Sequence, residues 1–199
     1  MTDKMHDIDP DSGFRLPLPK RENLDAEGQA IYDRLVNPKG GTIRGLRGPA
    51  GIRLYSPHNS HISEPINRYL RFESGLGGRA REVAILATAR EFDSQFEWAA
   101  HEPEALKEGV PAAVIDAIKH RRSTAGLDEG DAVLIDLGRE MFGAKKVSSA
   151  TFARALARFG TRLLVDIVCL MGNYAGTAGL LAAFDMQLDP GQEPLLPIP

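Results

Sequence analysis

Gly78-Arg79-Ala80-Arg81-Glu82-Val83-Ala84-Ile85-Leu86-Ala87-Thr88-Ala89-Arg90-Glu91, followed after Phe92-Asp93 by Ser94-Gln95-Phe96-Glu97-Trp98-Ala99-Ala100-His101-Glu102, is the stretch on which the fold turns. Val83, Ile85, Leu86 and Ala87 lie in a run with few breakers, so Arg79 to Glu91 reads as a largely buried helix. Ser94 to Glu102 reads as the next helix. Pro103 cannot donate to the carbonyl of Ala99, so this second helix either kinks there or restarts with Pro103 at its first position, directly behind His101.

Toward the N-terminus the pattern loosens. Residues 1–22 mix Asp, Pro, Gly and basic side chains without periodicity and read as a mobile or wrapping arm. A helix is expected from Asp25 to Val36, with Ile31, Leu35 and Val36 on its apolar side and Asn37-Pro38 ending it. Residues 38–58 carry Gly40-Gly41, Gly45, Gly48-Pro49, Gly51 and Ser56-Pro57, which leaves room for no more than a short strand in a long lid or substrate-facing loop. From Asn59 a helical stripe of Ile62, Ile66, Tyr69, Leu70 and Phe72 runs to Gly75.

Toward the C-terminus every signal is helical. Pro111 opens one helix, Asp128 caps a run to Phe142 before Gly143, and Ser148 caps a run to Phe159 before Gly160. The last helix, Thr161 to Phe184, is strongly apolar and carries Gly172, Gly176 and Gly179. Arg162, Asp166 and Asn173 interrupt it, so a buried core or subunit-interface helix accounts for it better than a membrane span. The expected organisation is an N-terminal arm, helix and loop (1–58), a helical domain (59–188) and an extended proline-containing tail (189–199), all-α throughout.

Composition narrows the function. The chain has 199 residues, 43% hydrophobic and 26% charged, which is enough for one good core. A net charge of -3 and sparse aromatics give no electrostatic footprint for nucleic acid, leaving a small-molecule substrate or a protein partner. The N-terminus has no apolar segment of a secretory signal, so a cytoplasmic location is expected, with no membrane partner. The single cysteine, Cys169, excludes an intrachain disulfide and any CxxC redox pair or multi-cysteine zinc site. Within its apolar run it is expected to behave as a buried hydrophobe.

Glu97 and His101 are four apart, about 40° in helical direction, so an acid and an imidazole share one face and can act on one bound atom. Glu82 is expected on the adjacent helix, Trp98 as a pocket wall. Neighbouring carboxylates raise one pKa and stabilise protonated imidazole, so such a trio can hold a proton ready near neutral pH. Two other accounts stand beside this one. Ser94 to Glu97 fits a capping box, with His101 a satisfied histidine at a helix break. Glu82, Glu97 and His101 also offer two oxygens and a nitrogen to a divalent ion, although zinc helices more commonly present two histidines at this spacing. His58 and His61 are three apart and expected in solvent, as are His6 and His120, which have no acidic partner in an obvious register. No Gly-Xaa-Ser-Xaa-Gly elbow or phosphate-binding glycine fingerprint is present. Arg44, Arg47 and Arg53 can recruit a carboxylated substrate by bidentate hydrogen bonds.

Gly78-Arg-Ala-Arg-Glu-Val-Ala-Ile-Leu86, Glu97-Trp-Ala-Ala-His-Glu-Pro103, Leu106-Lys-Glu-Gly-Val110, Gly160-Thr-Arg-Leu-Leu-Val-Asp-Ile-Val168 and Gly172-Asn173-Tyr174 together resemble the carboxymuconolactone decarboxylase family, which includes the AhpD-like alkylhydroperoxidases. The resemblance implies an all-α, AhpD-like helical bundle and a homo-oligomer, a trimer or hexamer, with active sites near subunit contacts. The family's peroxidase branch carries two cysteines at positions matching Ser94 and Glu97, so thiol peroxidase activity is not expected here. Its decarboxylase branch is similar in placing a glutamate four before the histidine, matching Glu97 and His101, and needs neither metal nor organic cofactor. The function this implies is a cofactor-independent lyase or isomerase for a small carboxylated lactone or related acid, as in aromatic compound catabolism. Glu97, His101 and Glu82 are the expected catalytic residues. Trp98, Tyr174, Arg44, Arg47 and Arg53 are expected to bind substrate. The alternatives are an oligomeric small-molecule-binding protein of the same fold, without catalysis, and a metal-dependent oxygenase or hydrolase.

Overall fold

A computed structural model describes residues 7–37 and 43–198. Among them are eight α-helices and no strand: α1 (Ala26–Leu35), α2 (Pro49–Arg53), α3 (Pro57–Arg68), α4 (Gly78–Glu91), α5 (Gln95–Lys107), α6 (Ala112–Lys119), α7 (Glu129–Gly138) and α8 (Ser149–Ala183). The all-α helical bundle class is therefore the observed one. The chain divides into two compact units, one comprising residues up to Ile66 with Gly179–Gln192, the other Asn67–Ala178 with Glu193–Pro199.

In the first unit, Asp25 caps α1 by accepting from the Gly28 N–H at 2.8 Å. Ile31 and Leu35 turn inward with Leu54 to form a small core, while Val36, expected on the apolar side, is exposed because it falls beyond the last helical turn. The described part of the Gly/Pro-rich segment is not a strand or an open loop. Pro49 starts the short helix α2, and a Cβ on Gly51 would meet the Leu46 carbonyl oxygen at 1.9 Å, so only glycine fits that close approach. The arm wraps back: Gln187 N–H donates to Gly13 O at 2.8 Å and Arg15 N–H to Phe184 O at 3.0 Å. His6 and Lys39-Gly40-Gly41 fall outside the described residues.

The second unit is built around α4, which packs against α5, α6 and α7. Every residue from Glu82 to Arg90 is buried, so this helix is enclosed all round, as its apolar run foretold. Each fully buried Val83, Ile85 or Leu86 side chain stabilises the core by about 1.5–3 kcal/mol over exposure. Pro103 lies inside α5, which neither stops nor restarts there. Asp128 caps α7 through the Gly130 N–H at 2.9 Å. Beyond Gly138 the chain runs on through Gly143 in a π-helical turn, Arg139–Ala144, rather than stopping at Phe142. Ser148 accepts from the Thr151 N–H at 3.1 Å at the start of α8. Gly160, at φ 71°, breaks α8 where the sequence separates two helices. The tail is clamped by Gln95, whose side-chain amide donates to Leu196 O at 2.7 Å and accepts from the Leu195 and Leu196 N–H groups.

The Ile62–Phe72 stripe and Cys169 lie differently from expectation. Ile62, Ile66, Tyr69 and Phe72 are exposed and only Leu70 is buried; the α-helical period ends at Arg68 and a π-helical turn, Tyr69–Glu73, follows. On α8, Leu164, Ile167, Leu170, Met171 and Tyr174 face the core. Val165, Val168, Cys169, Gly172, Gly176 and Gly179 face outward, so the thiol expected in the core is exposed. α8 is the one described helix long and apolar enough to cross a membrane.

Candidate active site

Helices α4 and α5 bring Glu82, Glu97 and His101 together, and all three are closed off from solvent, at 1%, 4% and 3% exposure. Glu82 Oε2 lies 2.7 Å from His101 Nδ1. Glu97 Oε2 lies 3.7 Å from the other ring nitrogen, Nε2. The imidazole thus stands between two carboxylates, and the one that grips it is Glu82, not the helical neighbour Glu97.

Glu82 is itself held at both oxygens. Its Oε1 accepts from Arg81 Nε at 3.0 Å, and Arg81 also donates to Glu108 at 2.9 Å. Burial pushes the Glu82 carboxyl up, but the hydrogen bond and charge of His101, with those of Arg81, outweigh it and hold the carboxyl below its ordinary range. An ionised carboxylate only accepts, so the hydrogen on the imidazole sits on Nδ1, an assignment that follows from the partner. Nε2 is then the ring position that takes or gives a proton, and it faces Glu97.

The capping account of Glu97 fails on both halves. The Ser94 N–H donates to Ala89 O at 2.9 Å, and the Ser94 side chain makes no cap hydrogen bond. A shared metal at the trio is disfavoured by geometry, since the two carboxylates approach opposite nitrogens of one ring and cannot meet at one ion. No group of three or more His, Cys, Asp or Glu suited to a metal occurs among the described residues.

Tyr174 lies beside the trio, its ring edge-on to His101 with centroids 5.2 Å apart. Burial first, with the charges of Glu97 and Glu82, pushes its phenol well above the ordinary value, so it stays a neutral hydroxyl. Trp98 turns into the core and donates its indole N–H to Glu102 at 2.8 Å, and Glu102 pairs with Lys119. Arg44, Arg47 and Arg53 belong to the first unit, where Arg44 and Arg47 pair with Asp189 and Arg53 ends α2. His58 and His61 are exposed beside Glu27. His120 does have an acid in register: Asp116 is four residues earlier, 3.6 Å away.

The sequence does not single out Arg81, although it stands next to Glu82. Arg71 is hidden there among the apolar residues of a helical stripe. A surface groove of about 300 Å³ lies between α5 and α6, lined by Glu102, Leu106, Ile115, Asp116, Lys119 and His120, and does not include the trio. No family model, curated protein or solved structure matches this chain.

Proposed function

We propose that this protein is a cofactor-independent acid–base enzyme of the carboxymuconolactone decarboxylase kind, acting on a small carboxylated lactone or related acid. The observation that carries the reading is the buried line Glu82–His101–Glu97. Burying two carboxylates and an imidazole costs free energy that a packed apolar trio would not, and such clusters of charged groups are characteristic of sites that move protons.

In the decarboxylation, the carbon–carbon bond to the departing carboxylate breaks and its electron pair enters the conjugated system as a dienolate. The Nε2–H of protonated His101 gives its proton to carbon, the ring becomes neutral, and solvent restores the proton. Glu82 holds the ring in one orientation and stabilises its positive form, as a carboxylate does for the imidazole of a catalytic triad. Glu97, beside Nε2, steers the same proton. In an isomerisation the neutral Nε2 first removes the proton that it later returns.

The test is carbon dioxide release from 4-carboxymuconolactone and related lactone acids with a chelator present. Release that collapses in both Glu97→Gln and Glu82→Gln supports the reading. Release that persists unchanged in both removes these residues from the chemistry.

The closure of the trio favours a second reading, a small-molecule-binding protein of the same fold without turnover. Saturable binding with no product across a broad panel of acids supports it. Under the first reading the protein is a homo-oligomer. The outward face of α8, with Val165, Cys169, Gly172, Gly176 and Gly179 spaced four, three, four and three apart, suits close approach of a helix from a second copy.

A further inference from the structure

Arg71 sits on the π-helical turn Tyr69–Glu73, half-buried, and among the described residues its guanidinium makes no ion pair, as is also true of Arg139 and Arg158 in the same unit. What sets it apart from them is its side-chain nitrogen. Its Nε is buried with no hydrogen-bond partner. An unsatisfied buried donor on a charged group is costly and asks for an acceptor.

Its surroundings say where that acceptor belongs. The Arg71 carbonyl accepts from Arg81 Nη1 at 3.1 Å, and Arg81 in turn holds Glu82, which holds His101. The guanidinium carbons of Arg71 and Arg81 lie 4.6 Å and 5.3 Å from the centre of the same ring, that of exposed Phe72. The charge of Arg71 also reaches the phenol of Tyr174, whose ring abuts His101. Arg81 is already shared by Glu82 and Glu108, so Arg71 is the cation left to receive an anion.

We infer that Arg71 is the seat of a substrate carboxylate, binding it beside Phe72 at the edge of the Glu82–His101 site. The inference rests on the acid–base reading and names its substrate class. The planar fork of a guanidinium matches a carboxylate in two parallel hydrogen bonds. The seated carboxylate is one that the product retains. Pairing with a guanidinium holds negative charge on the oxygens, whereas loss of carbon dioxide must send that electron pair into carbon.

The test uses the full-length chain and calorimetric titration with benzoate, glutarate and the neutral isostere benzamide, on wild type, Arg71→Lys and Arg71→Gln. Benzoate or glutarate is expected to bind wild type. Affinity should fall at least about tenfold in Arg71→Gln, as for loss of a charged hydrogen bond, with Arg71→Lys intermediate. The unfolding midpoint should stay near wild type, since no protein ion pair is removed. Binding to Arg71→Gln at wild-type affinity, benzamide binding as well as benzoate, or no carboxylate binding to wild type at tens of millimolar overturns the inference. Should Arg71→Gln not fold, equal affinity of Arg71→Lys and wild type overturns it. Arg71-dependent binding without any turnover keeps the seat and removes the acid–base reading. Turnover whose KM is unchanged in Arg71→Gln does the reverse.

Discussion

Glu82 Oε2 meets His101 Nδ1 at 2.7 Å across the α4–α5 contact, nineteen residues apart in sequence, and this one bond fixes the orientation and the tautomer of the imidazole. Glu97, one turn from His101 on the same helix, is a full ångström farther from the ring, at its other nitrogen. The two acids therefore stand differently to the ring. Glu82 orients it and balances charge, and Glu97 faces the nitrogen that Glu82 leaves without a partner of its own.

Glu82→Gln removes the charge and keeps the shape. It leaves the buried Arg81 and His101 facing a neutral amide, and should lower unfolding free energy by about 1–3 kcal/mol, the cost of a poorly satisfied buried polar group. Glu82→Ala should cost more, about 3–5 kcal/mol, as for a broken buried ion pair. Urea denaturation of the two variants measures both; equal, near-zero losses would show that the pair does not stabilise the fold.

Glu97→Gln and Ser94→Ala separate catalysis from capping. Because the Ser94 side chain makes no cap bond, Ser94→Ala should cost well under the roughly 1 kcal/mol typical of a lost N-cap. Glu97→Gln should leave stability within about 1 kcal/mol of wild type while lowering turnover by about 10²–10⁴-fold, the usual contribution of a positioned acid or base. Thermal unfolding and turnover on the same samples decide it, and a stability loss without a rate loss would return Glu97 to a structural role.

The pH dependence of stability has a definite sign. The Glu82 carboxyl lies lower in the folded chain than its ordinary value of 4.5. Its stabilisation is therefore fully present above that value and is lost as pH falls through the lowered one. Unfolding free energy should decline more steeply below about pH 4.5 in wild type than in Glu82→Gln. Superimposable acid limbs would contradict the lowered carboxyl.

The outward glycines of α8 offer a probe of assembly. A Cβ at Gly176 meets nothing within 4 Å in the single chain, so Gly176→Ala should stabilise an isolated subunit, by up to about 1 kcal/mol from helix propensity. If that face packs on a second copy, Gly176→Leu instead shifts sedimentation toward smaller species. An unchanged oligomeric state in Gly176→Leu would place the contact elsewhere.

Much of this fold is legible in the chain because its signals are local. The uninterrupted apolar run from Val83 to Ala87, the caps at Asp25, Asp128 and Ser148 and the glycine at 160 depend on neighbours in sequence, and each lies where the chain places it. Ile62, Ile66 and Phe72 mislead for the same reason: a stripe reveals a helix but not which side finds a partner, and for Phe72 a π turn also changes the register. Spacing alone also put Glu97 and His101 on one face. The grip of Glu82 on His101, the release of Ser94 from capping, the departure of Trp98 toward Glu102 and the unpaired Arg71 were decided by tertiary structure. Helical period sets direction around one axis, whereas a hydrogen bond between two helices depends on their separation and rotation, and these are set by how α4 packs against its neighbours.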